Sequence, residues 1–260
     1  MTTPSTLMSA DANRRLSKQT AIVTGASSGV GLEIALALAR EGVNPILVGR
    51  RLDALRQVAQ KCTEIGVKAH VHQVDLLNDR EVRAFCKTAS ADSRGIDILI
   101  HSAGVIKPSR LEKASLDDFD LQYKANVRAP FFLTQLLLPA LVTRKGQIVF
   151  INSTAGLVAG AGISQYAATK HALKALADSW RDELNPLGVR ILSVYLGRTA
   201  TPMQADVHRW EGKAYAPAEL IQPCQVARTV VDALALGREA EVMDIRIRPM
   251  AGPPQHRRGS

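Results

Sequence analysis

Cysteine is scarce in this sequence: Cys62, Cys86 and Cys224 are three in 260 residues, odd in number and widely spaced. Such a set supplies neither a disulfide framework nor a zinc pattern; it suits a reducing cytosol, so a cytoplasmic location is expected. No apolar run approaches the roughly 20 residues that cross a bilayer. The longest candidate, FFLTQLLLPALV, is interrupted by Thr134, Gln135 and Pro139, and no membrane association is expected. The N-terminal stretch MTTPSTLMSADANRRLSKQ has no hydrophobic signal core, so secretion is not expected and residues 1–18 read as a short flexible arm. His70 and His72 alternate on one face of a strand, but no third ligand stands nearby and no metal site is expected.

Acidic residues are also short, 24 against 33 Lys and Arg, for a net charge of +9. The excess sits at the ends. Arg14, Arg15 and Lys18 against Asp11 give +2 over residues 1–18, and Arg246, Arg248, Arg257 and Arg258 give +4 over 246–260. The 227 residues between carry only +3, with no basic stripe interleaved with aromatics, which argues against nucleic acid as a partner. Hydrophobic residues at 46% and charged residues at 22% describe a globular chain able to bury a sizeable core.

What is present is alternation. QTAIVTG, VNPILVGR, KAHVHQVDL, GIDILIHSAG, GQIVFINST, GVRILSVYLG and AEVMDIRIRP read as strands separated by helical runs. SLDDFDLQYKANVRAPFFLTQLLLPALVTR reads as one long helix, bent near Pro130. Nearly continuous apolar strands between helices predict a parallel sheet covered on both faces. There is no internal repeat and no mid-chain linker, so one domain over 19–250 is expected, followed by a flexible basic tail at 251–260. Ligands of such sheets sit beyond the C-terminal strand ends, and the residues there carry the functional information.

After the first strand comes TGASSGVG, with Gly25, Gly29 and Gly31 spaced as GxxxGxG. A tight turn into a helix, with no side chains in the way, aims backbone N–H groups at a phosphate and predicts a bound dinucleotide. The second strand ends in Gly49, Arg50 and Arg51, where an acidic residue would favour a free ribose 2′-hydroxyl. Guanidinium groups suit a phosphate monoester, so NADP(H) is expected over NAD(H). Asp75 either accepts from an adenine amino group or caps the following helix.

In QYAATKHALKAL, Tyr166 and Lys170 lie one helical turn apart on one face. Taken alone, that is an interfacial tyrosine beside a solvated lysine. Ser153 alone would be a helix cap, and Asn126 alone a polar contact in a helix. Together with the glycine loop they carry more. Over about residues 19–250 the chain resembles the short-chain dehydrogenase/reductase family in its single-domain form. TGASSGVG is similar to the family's cofactor loop, and HSAG at 101–104 stands where the family usually has Asn-Asn-Ala-Gly. Asn126 in KANVRAPF, Ser153 in INSTAG, Tyr166 and Lys170 match its catalytic tetrad in order, 27 and then 13 residues apart.

The resemblance implies a single-domain, Rossmann-like, doubly wound and mostly parallel seven-stranded sheet. It implies cofactor contacts from Gly25, Ser27, Ser28, Gly29, Val30, Gly31, Arg50, Arg51, Asp75, Leu76, Ala103, Gly104, Tyr166, Lys170, Gly197, Thr199 and Thr201. It also implies hydride transfer between the nicotinamide and a carbonyl carbon. Tyr166 would be the acid/base, drawn down from a pKa near 10 by the Lys170 ammonium. Lys170 would also hold the nicotinamide ribose, Ser153 would donate to the carbonyl oxygen, and Asn126 would hold a relay water. Two departures stand out: His101 and Ser102 replace the two asparagines, and Leu196 in LGRTAT replaces a proline, which leaves the rigidity of that loop open. Tyr123 and Tyr195 are expected only to pack.

Residues 202–220, PMQADVHRWEGKAYAPAEL, read as a mobile substrate lid. Its His208, Arg209 and Lys213 either meet a substrate carboxylate or phosphate or form a solvated face. TAGLVAGAG beside Ser153 is small and apolar and leaves room for an apolar ketone or secondary alcohol. An NADP(H)-dependent carbonyl reductase or alcohol dehydrogenase is thus the expectation. The alternatives are a 3-oxoacyl-carrier-protein reductase, disfavoured by DIRIRPM at the C-terminal side, and a non-catalytic NADP(H)-binding regulator. The family pairs through its two long helices, here about 116–143 and 165–187, so a homodimer or homotetramer is expected.

Overall fold

Seven runs rich in Ile, Val and Leu extend into strands: β1 (Thr20–Thr24), β2 (Asn44–Gly49), β3 (His70–Gln73), β4 (Ile98–His101), β5 (Gln147–Ser153), β6 (Arg190–Leu196) and β7 (Asp244–Ile247). All pair in parallel, in the order β3-β2-β1-β4-β5-β6-β7. The structure is a computed structural model and describes residues 14–92 and 95–250. Between the strands run α1 (Gly29–Arg40), α2 (Leu52–Ile65), α3 (Asp79–Asp92), α4 (Leu116–Tyr123), α5 (Ala129–Thr143), α6 (Ser164–Leu184), α7 (Pro202–Trp210) and α8 (Pro223–Leu234). The chain runs outward from β1 to β3, then returns to lay β4 on the other side of β1. The C-terminal ends of β1 and β4 therefore flank the switch point where such sheets bind ligands.

Strand alternation builds two cores. Val23, Leu47, Ile98, Ile100 and Val149 point to one face, where they meet α1, α2 and α8. Ile22, Ile46, Leu99, Ile148 and Phe150 point to the other, against α3, α5 and α6. Successive residues are buried on opposite faces, which is why these strands read as unbroken apolar runs rather than alternating ones.

The predicted long helix is continuous from Leu116 to Thr143, but its irregularity is a π turn over Lys124–Arg128 rather than a bend at Pro130. Pro130 is still its cause in part: it has no N–H for the carbonyl of Asn126, four residues back. This helix is long and apolar enough to cross a bilayer, yet it buries Leu133, Leu137 and Leu141 in the sheet-facing core.

The expected arm is corrected at its inner end. Leu16 is buried in the first core, and Arg15 pairs with Glu41, just past the end of α1, and with Asp232 on α8, at 2.8 and 2.9 Å. Residues 1–13, and the expected tail at 251–260, lie outside the described residues.

Candidate active site

The loop joining β1 to α1 turns on Gly25 and Gly29, both left-handed at φ +67° and +55°. A Cβ on Gly25 would sit 2.9 Å from the Ala103 backbone, and one on Gly31 would sit 2.6 Å from the Gly25 carbonyl. The cradle therefore exists only because side chains are missing from it. Ser28 caps α1 in extended conformation without a side-chain hydrogen bond, and Val30 is buried behind it. Arg51 lies across this loop, its guanidinium donating to Ser27 Oγ at 3.1 Å and to the Ser27 carbonyl at 3.2 Å. Arg50 is exposed beside it, while its carbonyl accepts from Gln73.

Asp75 makes a local turn, its Oδ1 accepting from Leu77 N at 3.0 Å. Capping of α3 belongs to Asn78, whose Oδ1 accepts from Arg80 N at 3.1 Å, so that alternative for Asp75 is removed. Leu76 packs against the second core.

The end of β4 is tied to the end of β1 by Thr24, a residue the sequence reading passed over. Its Oγ1 donates to the Ile100 carbonyl and accepts from Ser102 N and Ala103 N, at 3.1 to 3.2 Å. His101 is buried, stacked on Phe150 with ring centroids 5.0 Å apart, and its Nε2 lies 2.8 Å from Thr134 Oγ1. Burial pushes its pKa down to about 3, so the ring is neutral and its role is to hold the sheet.

Three elements bring the predicted tetrad together. Ser153 ends β5, Tyr166 and Lys170 share the first turns of α6, and Asn126 enters from the π turn. Asn126 is spent on protein contacts: Oδ1 accepts from Val105 N at 2.8 Å, while Nδ2 donates to Val105 O and to Thr169 Oγ1. Thr169 Oγ1 in turn donates to the Tyr166 carbonyl at 2.7 Å. Lys170 Nζ donates to the Ile151 carbonyl at 3.2 Å, and it stands 5.7 Å from the centre of the Tyr166 ring. A Cβ on Gly104 would lie 3.1 Å from Asn126 Oδ1 and 3.9 Å from Lys170 Nζ, so this glycine keeps the floor open.

The loop after β6 closes the site from the other side. Thr201 Cγ2 would be 3.1 Å from a Cβ on Gly29, which places the LGRTAT loop against the glycine loop. Gly197 N donates to Ile247 O, Thr199 bridges to Ile221, and Ala200 N donates to Ile221 O. These bonds fix a loop whose rigidity Leu196 had left open.

The short chain dehydrogenase profile matches residues 19–212, spanning the glycine loop, the tetrad and the LGRTAT loop. The chain is a short-chain dehydrogenase/reductase. It is 31% identical over 238 residues to an uncharacterised oxidoreductase of Staphylococcus aureus strain N315, covering 90% of this chain and 99% of that one. It is also 31% identical to glycine betaine reductase of Emericella nidulans, over 92% of this chain but only 19% of that protein. Among solved structures, an alcohol dehydrogenase of Thermococcus sibiricus complexed with 5-hydroxy-NADP matches with TM-score 0.83 at 26% identity, over 92% and 99% of the two chains. A short-chain dehydrogenase of Shigella flexneri complexed with NADP gives 0.83 at 28%, over 90% and 98%. As a family member, the protein is an NAD(P)-dependent oxidoreductase.

Burial acts on this dehydrogenase/reductase's two key groups in opposite directions. Tyr166 is only half-buried by area, yet the protein around its phenol pushes its pKa up to about 12; a hydrogen bond with Ser153 works against this. Lys170 is buried and pushed down to about 8. In the protein alone, then, the expected draw of Lys170 on the phenol is outweighed by desolvation, which favours the neutral form of each.

The 202–220 segment contains a helix: Thr201 caps α7, accepting from Gln204 N at 3.2 Å, with Pro202 in the first turn. That Thr-Pro pair is a local helix-start signal the sequence reading missed. His208 is buried, Arg209 pairs with Asp206 at 2.8 Å and Lys213 with Glu211 at 3.2 Å, so the lid's cations are engaged within the lid. Arg198 and Glu211, also missed, pair through the two terminal guanidinium nitrogens, Nη1 and Nη2, at 2.9 and 2.5 Å. Nothing local announces that pair. Of the two tyrosines expected only to pack, Tyr195 is buried in the interior, but Tyr123 is 46% exposed on α4.

Proposed function

We propose that this protein is an NADP(H)-dependent oxidoreductase that interconverts a carbonyl and a secondary alcohol, with Tyr166 as the acid/base. The observation that carries the reading is the convergence of Ser153, Tyr166, Lys170 and Asn126 beside a side-chain-free glycine cradle. The residues fit the dinucleotide: Gly25 and Gly29 leave space for a pyrophosphate, and Ser28 offers it an open helix start. Arg51 over Ser27, with exposed Arg50 alongside, suits a ribose 2′-phosphate, and no acid stands at the end of β2 to oppose one. The NADP bound to several similar structures supports the same choice. Ala103 and Gly104, with Gly197, Thr199 and Thr201, would line the adenosine-to-nicotinamide path. The Asp75–Leu76 turn would meet the adenine.

When bound, the reduced dinucleotide supplies the hydride. Tyr166 donates the proton that the carbonyl oxygen acquires, and it accepts that proton in the reverse direction. Ser153 donates a hydrogen bond to the same oxygen as charge develops there. Lys170 holds the ribose and favours phenolate once its ammonium faces Tyr166. Asn126 anchors the loop after β4 through Val105 and the tyrosine turn through Thr169; its own carbonyl, deprived of the Pro130 N–H, is the group that would hold a relay water.

The substrate is proposed to be apolar. Leu111 and Val158, in the connections after β4 and β5, and Leu116, at the start of α4, are 85%, 75% and 82% exposed. Lys107, Arg110 and Lys113 on the same rim favour one second reading, a reductase of 3-oxoacyl groups on an acidic carrier. The similarity to the actinorhodin polyketide ketoreductase, TM-score 0.82 at 25% identity, points the same way. We further propose a cytoplasmic enzyme that self-associates through α4, α5 and α6, where Phe131 is 41% exposed beside Trp180.

The test follows NADPH and NADH oxidation against aliphatic, aromatic, steroid and 3-oxoacyl carbonyls, with Tyr166→Phe alongside. NADPH-preferring turnover that vanishes in the variant supports the reading. NADPH binding without turnover of any panel member by either protein would favour a regulator instead.

A further inference from the structure

The last residues of α7 occupy an unusual position. Trp210 lies on the loop that joins Ser153 to Tyr166: a Cβ on Gly162 would come 2.6 Å from its Cη2. Gly162 is left-handed at φ +78°, and its carbonyl accepts from Ser109 N at 2.8 Å. The indole thus seats where three segments meet: the loop after β4, the loop after β5, and the lid. It is nonetheless 46% exposed: the tip of the six-membered ring abuts Gly162, and much of the rest of the indole stays open.

The next residue fixes that seat. Glu211 closes the bidentate pair with Arg198, which lies in the LGRTAT loop, and Arg198 Nη1 also approaches His208 Nε2 at 3.5 Å. His208 Nδ1 donates to the Gln204 carbonyl at 2.8 Å, which leaves Nε2 to accept from the guanidinium. Tyr215 stands edge-on to His208 with centroids 5.4 Å apart, and its hydroxyl donates to the Thr201 carbonyl. A paired, planar guanidinium of this kind holds direction as well as charge. Both ends of α7 are therefore braced on the loop proposed to hold the nicotinamide.

From this geometry we infer that Trp210 is a fixed wall of the substrate cleft that sets an upper limit on substrate size, and that the Arg198–Glu211 pair positions it. The inference rests on the carbonyl–alcohol reading of the site and adds the size class: compact apolar carbonyls are favoured over ones branched or ring-bearing beside the reacting carbon. A mobile lid would adapt to both. A wall seated on a glycine and strutted by an ion pair does not, because the ring's tip already abuts Gly162 and has no room to move further toward it.

The experiment compares kcat/KM for a compact methyl ketone and a bulky aryl ketone in wild type, Trp210→Ala, Trp210→Phe and Glu211→Gln. Binding is followed independently of turnover by Trp210 emission in a Trp180→Phe background, Trp180 being the chain's other tryptophan. Trp210→Ala is expected to raise the bulky-to-compact ratio about tenfold, at the low end of what pocket shape discriminates. Trp210→Phe should give an intermediate ratio. Glu211→Gln should shift the ratio the same way by a smaller factor, acting through KM with kcat largely kept. Ratios within twofold of wild type in both Trp210 variants would overturn the inference. If Trp210→Ala does not fold, Trp210→Phe decides by the same criterion. Should wild type reduce neither ketone, the carbonyl reading fails by itself; the wall then stands or falls on whether either ketone perturbs Trp210 emission.

Discussion

The two halves of the site are built on opposite plans. On the β1–α1 side, the cradle is made of missing side chains: Gly25, Gly29 and Gly31 let backbone approach backbone, and the long side chain of Arg51 lies across it. On the side of β5 and β6, the walls are made of side chains that reach between distant segments. Asn126 clamps Val105 and Thr169, Gln122 meets Gln165, Arg198 meets Glu211, and Trp210 abuts Gly162. A site for an invariant ligand such as a dinucleotide phosphate can be specified by backbone shape alone. A site for a variable substrate is set by side chains, which can change without disturbing the sheet.

This contrast can be broken most directly at its junction, Tyr166. Tyr166→Phe should cut turnover about a thousandfold, within the range for loss of a general acid, while NADPH affinity by fluorescence titration stays near wild type. Retained turnover would remove the tyrosine from the chemistry. On the backbone-built side, Gly25→Ala adds a Cβ 2.9 Å from Ala103 and forces a left-handed alanine. Overpacking of this kind costs about 1–3 kcal/mol, so NADPH affinity should fall tenfold or more; an unchanged value would mean the loop can move aside.

Arg51→Ala should weaken NADPH binding about tenfold and leave NADH within twofold, as expected for one charged hydrogen-bonding partner worth about 1.5–3 kcal/mol. Equal losses for both would show that Arg51 acts only by bracing Ser27. The pH dependence is a finer probe. Lys170, pushed down to about 8, is charged below that pH and loses its proton as pH rises through it, so carbonyl reduction should be level below about pH 8 and decline above it. A profile level to pH 10 would show that the free-protein value does not govern the working enzyme. The smallest effect is expected far from the site. Arg15→Ala removes exposed pairs to Glu41 and Asp232 and should cost under about 1 kcal/mol in urea unfolding.

Much of this molecule was determined by short-range spacing in the chain. Strand alternation, the two-sided core and the end of α2 at Gly66, left-handed at φ +97°, follow from patterns within one or two elements. The glycine cradle and the Tyr166–Lys170 face are equally local. The positions of Asn126 and Ser153 were legible only through their joint spacing with Tyr166, since each alone reads as a cap or a polar contact. Other features depended on contacts that sequence distance hides. The π turn at 124–128 arises where Pro130 withholds an N–H and Asn126 is claimed by Val105. The pKa values of Tyr166 and Lys170 move apart because burial, which no spacing reports, outweighs their attraction. Arg198 and Glu211 pair because α7 folds back on the LGRTAT loop, and Trp210 finds Gly162 because three strand-end loops converge there. Periodicity and turn chemistry are properties of neighbouring residues and can be read in order. Desolvation and side-chain pairing are properties of volume, and they exist only once the chain has enclosed it.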